Sequence, residues 1–424
     1  MTSTSTIGPS KDYATPTLWE ADTQGTYTEI VEGLLYRNTG DVAYTDQPVF
    51  SGSVSAIDKY RVMRAADGEE FNFDWGSPAG VRFDPNTSGH VMQVGESYMQ
   101  LWKLGITNSS PASSDEGIRI LSGCLVLYIE KLHIHGFSQA DGDGIYVPNQ
   151  NFDITAKDCT FTSIHRAGMH FQHYSGDGIT HVGLFINCAF GSMGTSGGNN
   201  TFDGKCVGVR CNGPSSTCDV ELVNCFNANS QITGTSVGLT ASGSGTVTFT
   251  GDYNIDEKAN LAASGFPDDG SHSQYGAVAK READLTTETG DYLVVQTWDD
   301  LHIVLDTFKT YTNIAMGTGI GPLADARVPS TDIDGDPRIE ATADVGADEL
   351  PRIGAAIKKV LDEIVQLPES VVKSIFAYDP TITGNVDVTL QSAAVDVALA
   401  PPSVSVPLED TNADLTLSSN NTTP

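Results

Sequence analysis

A short apolar pattern recurs six times between Lys103 and Ile255, and it constrains the fold more than any other feature. The copies begin at Lys103, Lys131, Asp158, Asn187, Asn224 and Asp252, with the longest step between Asn187 and Asn224. A second pattern lies between them and begins at Gly117, Gly144, Gly168, Gly208 and Gly238. Each unit therefore carries at least two short strands with alternating faces, and neighbouring units must stack to bury them.

A repeat of roughly 20–30 residues, built from strands and turns, predicts a parallel β-helix solenoid. The alternative is an antiparallel β-sandwich, which also has short strands and frequent turns. A sandwich has no reason to repeat one apolar position six times, so we favour the β-helix. The 43 glycines and the low share of charged residues, 18 %, also suit a turn-rich all-β protein.

The net charge of the chain limits the classes of partner that it is expected to bind. The formal net charge is −31 and the pI is about 4.3, which disfavours nucleic acid and anionic membrane surfaces. The sequence contains no run of 18 apolar residues, so we predict no transmembrane span. The segment 1–20 lacks the basic and apolar regions of a signal peptide, so we expect synthesis in a host cytoplasm. No phosphate-binding motif is present, and we predict no cofactor.

The cysteines and the histidines carry separate expectations. Cys159, Cys188 and Cys225 share one repeat position, so we expect them to stack inside the coil as small apolar groups. The remaining cysteines of the repeat lie in or near one loop-rich stretch without a C-x₂-C pair, and we favour reduced structural thiols over a metal site: Cys206, Cys211 and Cys218. The histidines of the repeat are crowded but match no known ligand spacing, and we expect His170 to point outward from a strand: His165, His170, His173 and His181. We therefore assign no metal ligand from the sequence.

Three aspartates are the candidates for catalysis. Enzymes that cleave polysaccharides use paired carboxylates, and Asp141, Asp143 and Asp177 are the acids available in the repeat. Asp143 and Asp177 each stand directly before a Gly-Ile pair. Asp-Gly before a strand is ordinary turn chemistry, so we favour turns and assign no catalytic residue.

A second acidic run, Asp332, Asp334 and Asp336, begins like a calcium loop. Positions six and twelve of that loop hold Pro337 and Ala343, which excludes an EF-hand. We favour a closing turn, with a looser cation site as the alternative.

Both ends of the repeat region resemble a known family. The segments 7–15 (IGPSKDYAT) and 60–66 (YRVMRAA), with DIDGDPR at 332–338 and DVGADE at 344–349, resemble right-handed parallel β-helix proteins of tailed phages and bacteria. The resemblance covers about residues 5–350 and implies a pectate-lyase-like coil. It implies no activity, because this fold serves lyases, hydrolases, adhesins and inert virion parts.

We therefore predict a right-handed parallel β-helix solenoid with a C-terminal helix and a short β-repeat tail. Residues 1–60 form an N-terminal cap, with Trp19 covering the first rung. Residues 61–350 form the coil and its closing cap, in which an apolar cluster seals the far end: Trp298, Leu301, Ile303, Val304 and Leu305. Residues 351–424 form an oligomerisation or attachment segment.

That last segment carries two patterns. The first is a heptad-like seam, typical either of a coiled coil or of an amphipathic helix on the last rung: Ile353, Ile357, Val360, Ile364 and Leu367. The second recurs every nine residues and predicts short strands that wrap with copies from other chains: Val386, Val388, Val395, Val397, Val404 and Val406. A flexible linker is the alternative for the second pattern.

These features together predict a non-enzymatic structural protein on the surface of a virion. It would be a tail spike, a tail fibre or a capsid decoration of a tailed phage or virus. We expect a homo-oligomer, with a trimer favoured, attached to other virion proteins through residues 351–424, and a host-surface polysaccharide as its candidate ligand. The alternatives are a polysaccharide-degrading lyase or hydrolase and, less favoured, a bacterial surface adhesin.

Overall fold

The computed structural model describes the chain in segments, and it forms two compact units. The described residues are 2–72, 78–110, 115–139, 141–174, 178–193, 203–228, 239–256, 267, 270, 272–275, 277–285, 289–297, 300–304, 311–334, 337–338, 342–348, 386–398, 404–405 and 414–416. The first unit comprises residues 1–305 and 310–350, and the second comprises residues 306–309 and 351–424.

The first unit is a coil in which successive turns add one strand to each of three parallel sheets. Sheet 1 has nine strands: β1 Thr2–Ile7, β2 Ile30–Leu35, β4 Arg61–Ala65, β7 Met99–Trp102, β10 Val126–Glu130, β13 Phe152–Lys157, β16 Thr180–Ile186, β19 Thr217–Val223 and β22 Thr246–Asp252. Sheet 2 has eight: β5 Arg82–Phe83, β8 Gly105–Thr107, β11 His133–His135, β14 Thr160–Thr162, β17 Ala189–Gly191, β20 Phe226–Ala228, β23 Ile255–Asp256 and β24 Gln274–Tyr275. Sheet 3 has seven: β3 Val49–Phe50, β6 Met92–Val94, β9 Glu116–Ile120, β12 Asp143–Val147, β15 Ala167–His173, β18 Lys205–Cys211 and β21 Leu239–Ser242. This topology confirms the parallel β-helix and excludes the antiparallel sandwich.

The turn between sheets 1 and 2 repeats one backbone conformation. Its left-handed residues form a column with φ between 49° and 60°: Lys103, Lys131, Asp158, Asn187, Asn224 and Tyr253. The sequence pattern begins its last copy at Asp252, and that alignment is wrong by one position. Asp252 pairs with Val223, so the residue equivalent to Asn224 is Tyr253.

The position after this column points into the core. Leu104, Leu132, Cys159, Cys188 and Cys225 are all fully buried there, which confirms the predicted thiol column. Asn254 takes the next position, and its amide binds the backbone of the preceding rung at Cys225 N and Leu222 O. The column therefore changes from apolar to polar at the last rung.

Glycines at the start of the sheet 3 strands allow neighbouring rungs to approach closely. A Cβ on Gly117, Gly144 or Gly168 would lie 2.6, 2.5 or 2.9 Å from a carbonyl oxygen of the next rung, so only glycine fits. Cys206 is the residue equivalent to Gly168 in the next strand of the sheet. The sequence pattern assigns this position to Gly208, but Gly208 pairs with His170. The acid before each of the first two glycines is buried and pairs with a histidine, Glu116 with His90 and Asp143 with His170.

The segment 1–60, which the sequence predicts as an N-terminal cap, contributes strands to the coil. Its residues contribute β1, β2 and β3 to the sheets. The helix α1, Pro16–Asp22, begins at Thr15, whose hydroxyl accepts a hydrogen bond from Leu18 N. It places Trp19 in the core, where a side chain on Gly33 would collide with the indole.

Residues 277–348 pack along the side of the coil. They form a small parallel sheet of β25 Val278–Arg281, β26 Gly290–Val295 and β27 Tyr311–Asn313, a 3₁₀ turn Glu282–Asp284, and the antiparallel pair β28 Gly319–Ile320 and β29 Thr342–Ala343. Leu301 and Ile303 pack with Ala189 and Phe226 of sheet 2, and Ile333 packs with Phe71. The prediction that Leu301 and Ile303 seal the far end is therefore wrong, while Trp298 and Leu305 lie outside the described residues. We call residues 311–348 the strap.

The second unit contains one described sheet, in the order β31, β30, β32. Its strands are β30 Val386–Ala398, β31 Val404–Ser405 and β32 Asp414–Thr416, all paired in parallel. Val386, Val388, Val395 and Val397 therefore share one long strand, whereas the nine-residue repeat predicted two separate strands. Val406 and the whole heptad-like seam lie outside the described residues. No described helix has the length and apolar character needed to cross a membrane.

Candidate functional site

The outer face of sheet 3 gathers charged and aromatic side chains. In β15, Met169 and Phe171 enter the core, so His170 between them belongs to the opposite face. Register places Arg119, Tyr146 and His170 in one column across three neighbouring strands. We call this surface, together with the arginine–tyrosine contacts of Arg166 with Tyr146 and of Arg210 with Tyr174, the basic-aromatic face.

Asp143 is the centre of a buried ionic network on this face. Its carboxylate accepts hydrogen bonds from Arg166 Nε, 2.9 Å from both oxygens, from Ala167 N at 3.2 Å, and from His170 Nδ1 at 3.1 Å. Burial alone would favour the neutral acid, but His170 and Arg166 outweigh burial and lower the pKa of Asp143. The prediction of a turn residue is wrong, because Asp143 lies within β12 and is fully buried.

Asp141 does occupy a turn, with φ at 63°. Its side chain is 47 % exposed and accepts a hydrogen bond from Arg166 Nη1 at 3.4 Å. The two described candidates for a catalytic pair thus bind one arginine, and Asp143 has no exposed surface for a substrate. Asp177 lies outside the described residues.

Arginine and tyrosine continue along the face. Glu116 pairs with His90 and lies 3.6 Å from Arg119 Nη1. The Arg119 guanidinium lies 5.3 Å from the Tyr146 ring centroid, and Arg210 lies 4.9 Å from that of Tyr174. Burial raises the pKa of Tyr146 to about 12. Such a surface can stack on apolar faces of a ligand and pair with its carboxylates.

A polar ladder fastens the strap to the left-handed turns. Asn187 Nδ2 donates to Asp158 Oδ1 at 3.0 Å, and Asn224 Nδ2 donates to Asn187 Oδ1 at 2.9 Å. The Asn224 amide also exchanges two hydrogen bonds with the backbone of Ile320 in the strap. Arg338 Nη1 donates to Asp158 Oδ1 at 2.7 Å, with both side chains fully buried. Arg338, the arginine of the closing motif, therefore holds the strap on the coil.

His302 is the centre of an acidic cluster beside the strap. Its Nδ1 pairs with Asp300, and its Nε2 lies 3.0 Å from Asp334 Oδ2. Burial opposes its charge, but the hydrogen bonds to Asp300 and Asp334 prevail and raise the pKa of His302 to about 11. Burial raises the pKa of Asp348 to about 7.

Among the described residues, one group of three or more His, Cys, Asp or Glu side chains has all its donor atoms within 4.8 Å of one another: His302, Asp334 and Asp348. Because both ring nitrogens of His302 bind carboxylates, the imidazolium itself neutralises the cluster, and we assign no metal to it. Asp334 thus joins the strap's ionic network, while Asp336 of the predicted calcium-like run lies outside the described residues.

Sequence reasoning missed the roles of Arg166, His170 and Arg338. One signal was available, because Glu116-Gly117-Ile118 and Asp143-Gly144-Ile145 repeat an acid before Gly-Ile at the repeat spacing. A recurring acid indicates a position in the ladder of strands rather than a local turn. The partners carried no such signal, since Arg166 and Arg338 have no counterpart in other units. No protein-family model matches the chain, and no curated protein sequence matches it.

Proposed function

We propose that this chain is a non-enzymatic structural protein of a virion surface, a tail spike, tail fibre or capsid decoration. It self-associates, with a trimer favoured, and attaches to other virion proteins through residues 351–424. The resemblance of both ends of the coil to phage β-helix proteins supports this proposal. The burial of Asp143 in an ion pair supports a structural role over polysaccharide cleavage.

The observation that carries self-association is the edge of β30. This strand has 13 residues, and within the part of the chain that the structure describes its pairing covers Val386 and Asp387 with β31 and the stretch from Gln391 to Asp396 with β32. Long strand edges are templates for pairing with another chain. A symmetric oligomer provides such partners without leaving the edge open to aggregation.

A substitution at Thr389, in the part of β30 between its two pairings, tests this proposal. Thr389→Pro removes a backbone N–H and disfavours pairing, whereas Thr389→Val keeps the N–H and the strand propensity. Light scattering after gel filtration should give an oligomer for the wild type and for Thr389→Val, and a monomer for Thr389→Pro. A monomeric wild type, or an unchanged mass for Thr389→Pro, would contradict the proposal.

The basic-aromatic face favours a second role, binding of an acidic host-surface polysaccharide. The chain has only 23 basic residues against 54 acids, and Arg119, Arg166 and Arg210 all lie beside tyrosines on this face. Guanidinium groups pair with the carboxylates of uronic acids, and tyrosine rings cover sugar faces.

Calorimetry with a uronic-acid polymer should show binding by the wild type and at least tenfold weaker binding by Arg210→Ala. The exposed control Arg281→Ala should bind like the wild type, and no new reducing ends or unsaturated uronides should form. Cleavage that Asp143→Asn abolishes would establish the depolymerase instead.

A further inference from the structure

Two histidines and two cysteines meet at one interior corner of the coil, where sheet 3 ends and sheet 1 begins. His173 closes β15 on the same side as Met169 and Phe171, and Cys211 closes β18 on the same side as Val207 and Val209. On the other side of the corner, His181 of β16 alternates inward with Phe185, and Cys218 of β19 with Val220. All four side chains are 0 % exposed.

Strand register stacks these residues in pairs. His173 pairs with Cys211, and His181 pairs with Cys218, each between adjacent parallel strands. Neighbouring strands lie about 4.8 Å apart, and paired residues point to the same side. One rung therefore supplies two imidazoles, and the next rung supplies two thiols directly beside them.

The same corner holds buried polar atoms that have no hydrogen-bond partner among the described residues. Both ring nitrogens of His181 are buried without a hydrogen bond, as are both polar atoms of the Gln150 amide. Gln150 belongs to the preceding rung, where its neighbours Asn149 and Asn151 bind the backbone of Tyr174 and Thr180 in the histidine rung. A buried polar group without a partner destabilises the fold, so native proteins usually give such groups a water or an ion.

The ligand chemistry at this corner suits a transition metal. Neutral imidazole nitrogens and thiolates are both ligands of Zn²⁺. Zn²⁺ would displace one proton from each thiol, and the complex with two thiolates and two neutral imidazoles would carry no net charge. A neutral complex is compatible with an apolar core.

We propose that His173, His181, Cys211 and Cys218 form a structural zinc site inside the coil. Two cysteines and two histidines are an established tetrahedral ligand set for Zn²⁺. Among the described residues, only the His302 cluster has three His, Cys, Asp or Glu donor atoms within 4.8 Å of one another. The donor atoms at the interior corner are therefore farther apart, and zinc binding requires these side chains to rotate toward one another. The site locks two rungs together at the corner and satisfies His181.

The test uses the full chain after removal of metals with a chelator. Cobalt(II) should bind in a 1:1 ratio and give the intense near-ultraviolet absorption of thiolate coordination, together with visible bands of a tetrahedral ion. Metal analysis of protein dialysed against zinc should also give one zinc per chain. Calorimetry of the wild type in buffers of different ionisation enthalpy should show release of two protons per zinc at pH 7.

Variants assign the ligands. Cys211→Ser with Cys218→Ser should weaken cobalt binding at least a hundredfold and remove the thiolate absorption. Cys225→Ser, in the separate thiol column, and His302→Gln, in the acidic cluster, should keep both. No thiolate absorption in the wild type overturns the proposal without any variant. Equal binding by the double variant overturns it also, as does a loss of binding confined to His302→Gln.

Discussion

Replacement of Arg338 by methionine tests whether the strap is held by one buried ion pair. The Arg338 guanidinium is fully buried and binds Asp158 Oδ1 at 2.7 Å. It also donates to three strap carbonyls, those of Thr331, Gly346 and Ala347, at 3.1, 3.2 and 2.8 Å. Methionine fills much of the same space but provides none of these donors.

The expected loss of folding stability arises from the Asp158 charge, which stays buried after Arg338 is replaced. Removing one partner of a buried ion pair costs about 3–5 kcal/mol, because the other charge stays buried without compensation. Burial already raises the pKa of Asp158 to about 6 against the opposing effect of Arg338. Without Arg338 that pKa rises further, and the folded variant binds a proton that the unfolded chain releases above about pH 4. Stability of Arg338→Met should therefore fall as pH rises, with a larger deficit at pH 8 than at pH 5.

Thermal and denaturant unfolding followed by circular dichroism at pH 5 and pH 8 measure both effects. Arg281→Met is the matched control, because Arg281 pairs with Asp284 at the surface and is 43 % exposed. An exposed pair contributes at most about 1 kcal/mol. Adding Asp158→Asn to Arg338→Met should recover stability at pH 8 by removing the buried charge. The reasoning fails if Arg338→Met loses no more than Arg281→Met, or if its deficit does not depend on pH.

Two further predictions concern the inside of the coil. In metal-free protein, His181 stays neutral down to about pH 4 while the unfolded chain binds a proton below about pH 6.5, so acid should destabilise the fold by up to about 3 kcal/mol over that range. His181→Phe should flatten the melting temperature against pH, and an unchanged slope would contradict this. Gly144→Ala should cost about 1–3 kcal/mol, because its Cβ would lie 2.5 Å from Gly168 O. Gly95→Ala, with its nearest neighbour at 3.3 Å, should cost less in the same melts, and equal losses would refute the steric argument.

The sequence by itself determined the coil and its columns. Parallel strands in register place equivalent repeat positions on one line, so the spacing of Leu132, Cys159 and Cys188 was enough to predict a shared buried column. The repeated pattern also aligned five of the six left-handed turns. It failed at Tyr253, because the pattern aligned Asp252 with Asn224, whereas strand pairing aligns Asp252 with Val223.

Only the tertiary structure decided what the polar residues do. Asp158 and Arg338 lie 180 positions apart, and no local pattern relates them before the strap packs on the coil. The interior corner takes its histidines and cysteines from different rungs, so no short motif contains them. Apolar columns follow from periodicity alone, whereas each polar contact depends on which rungs, bends and strap residues finally meet.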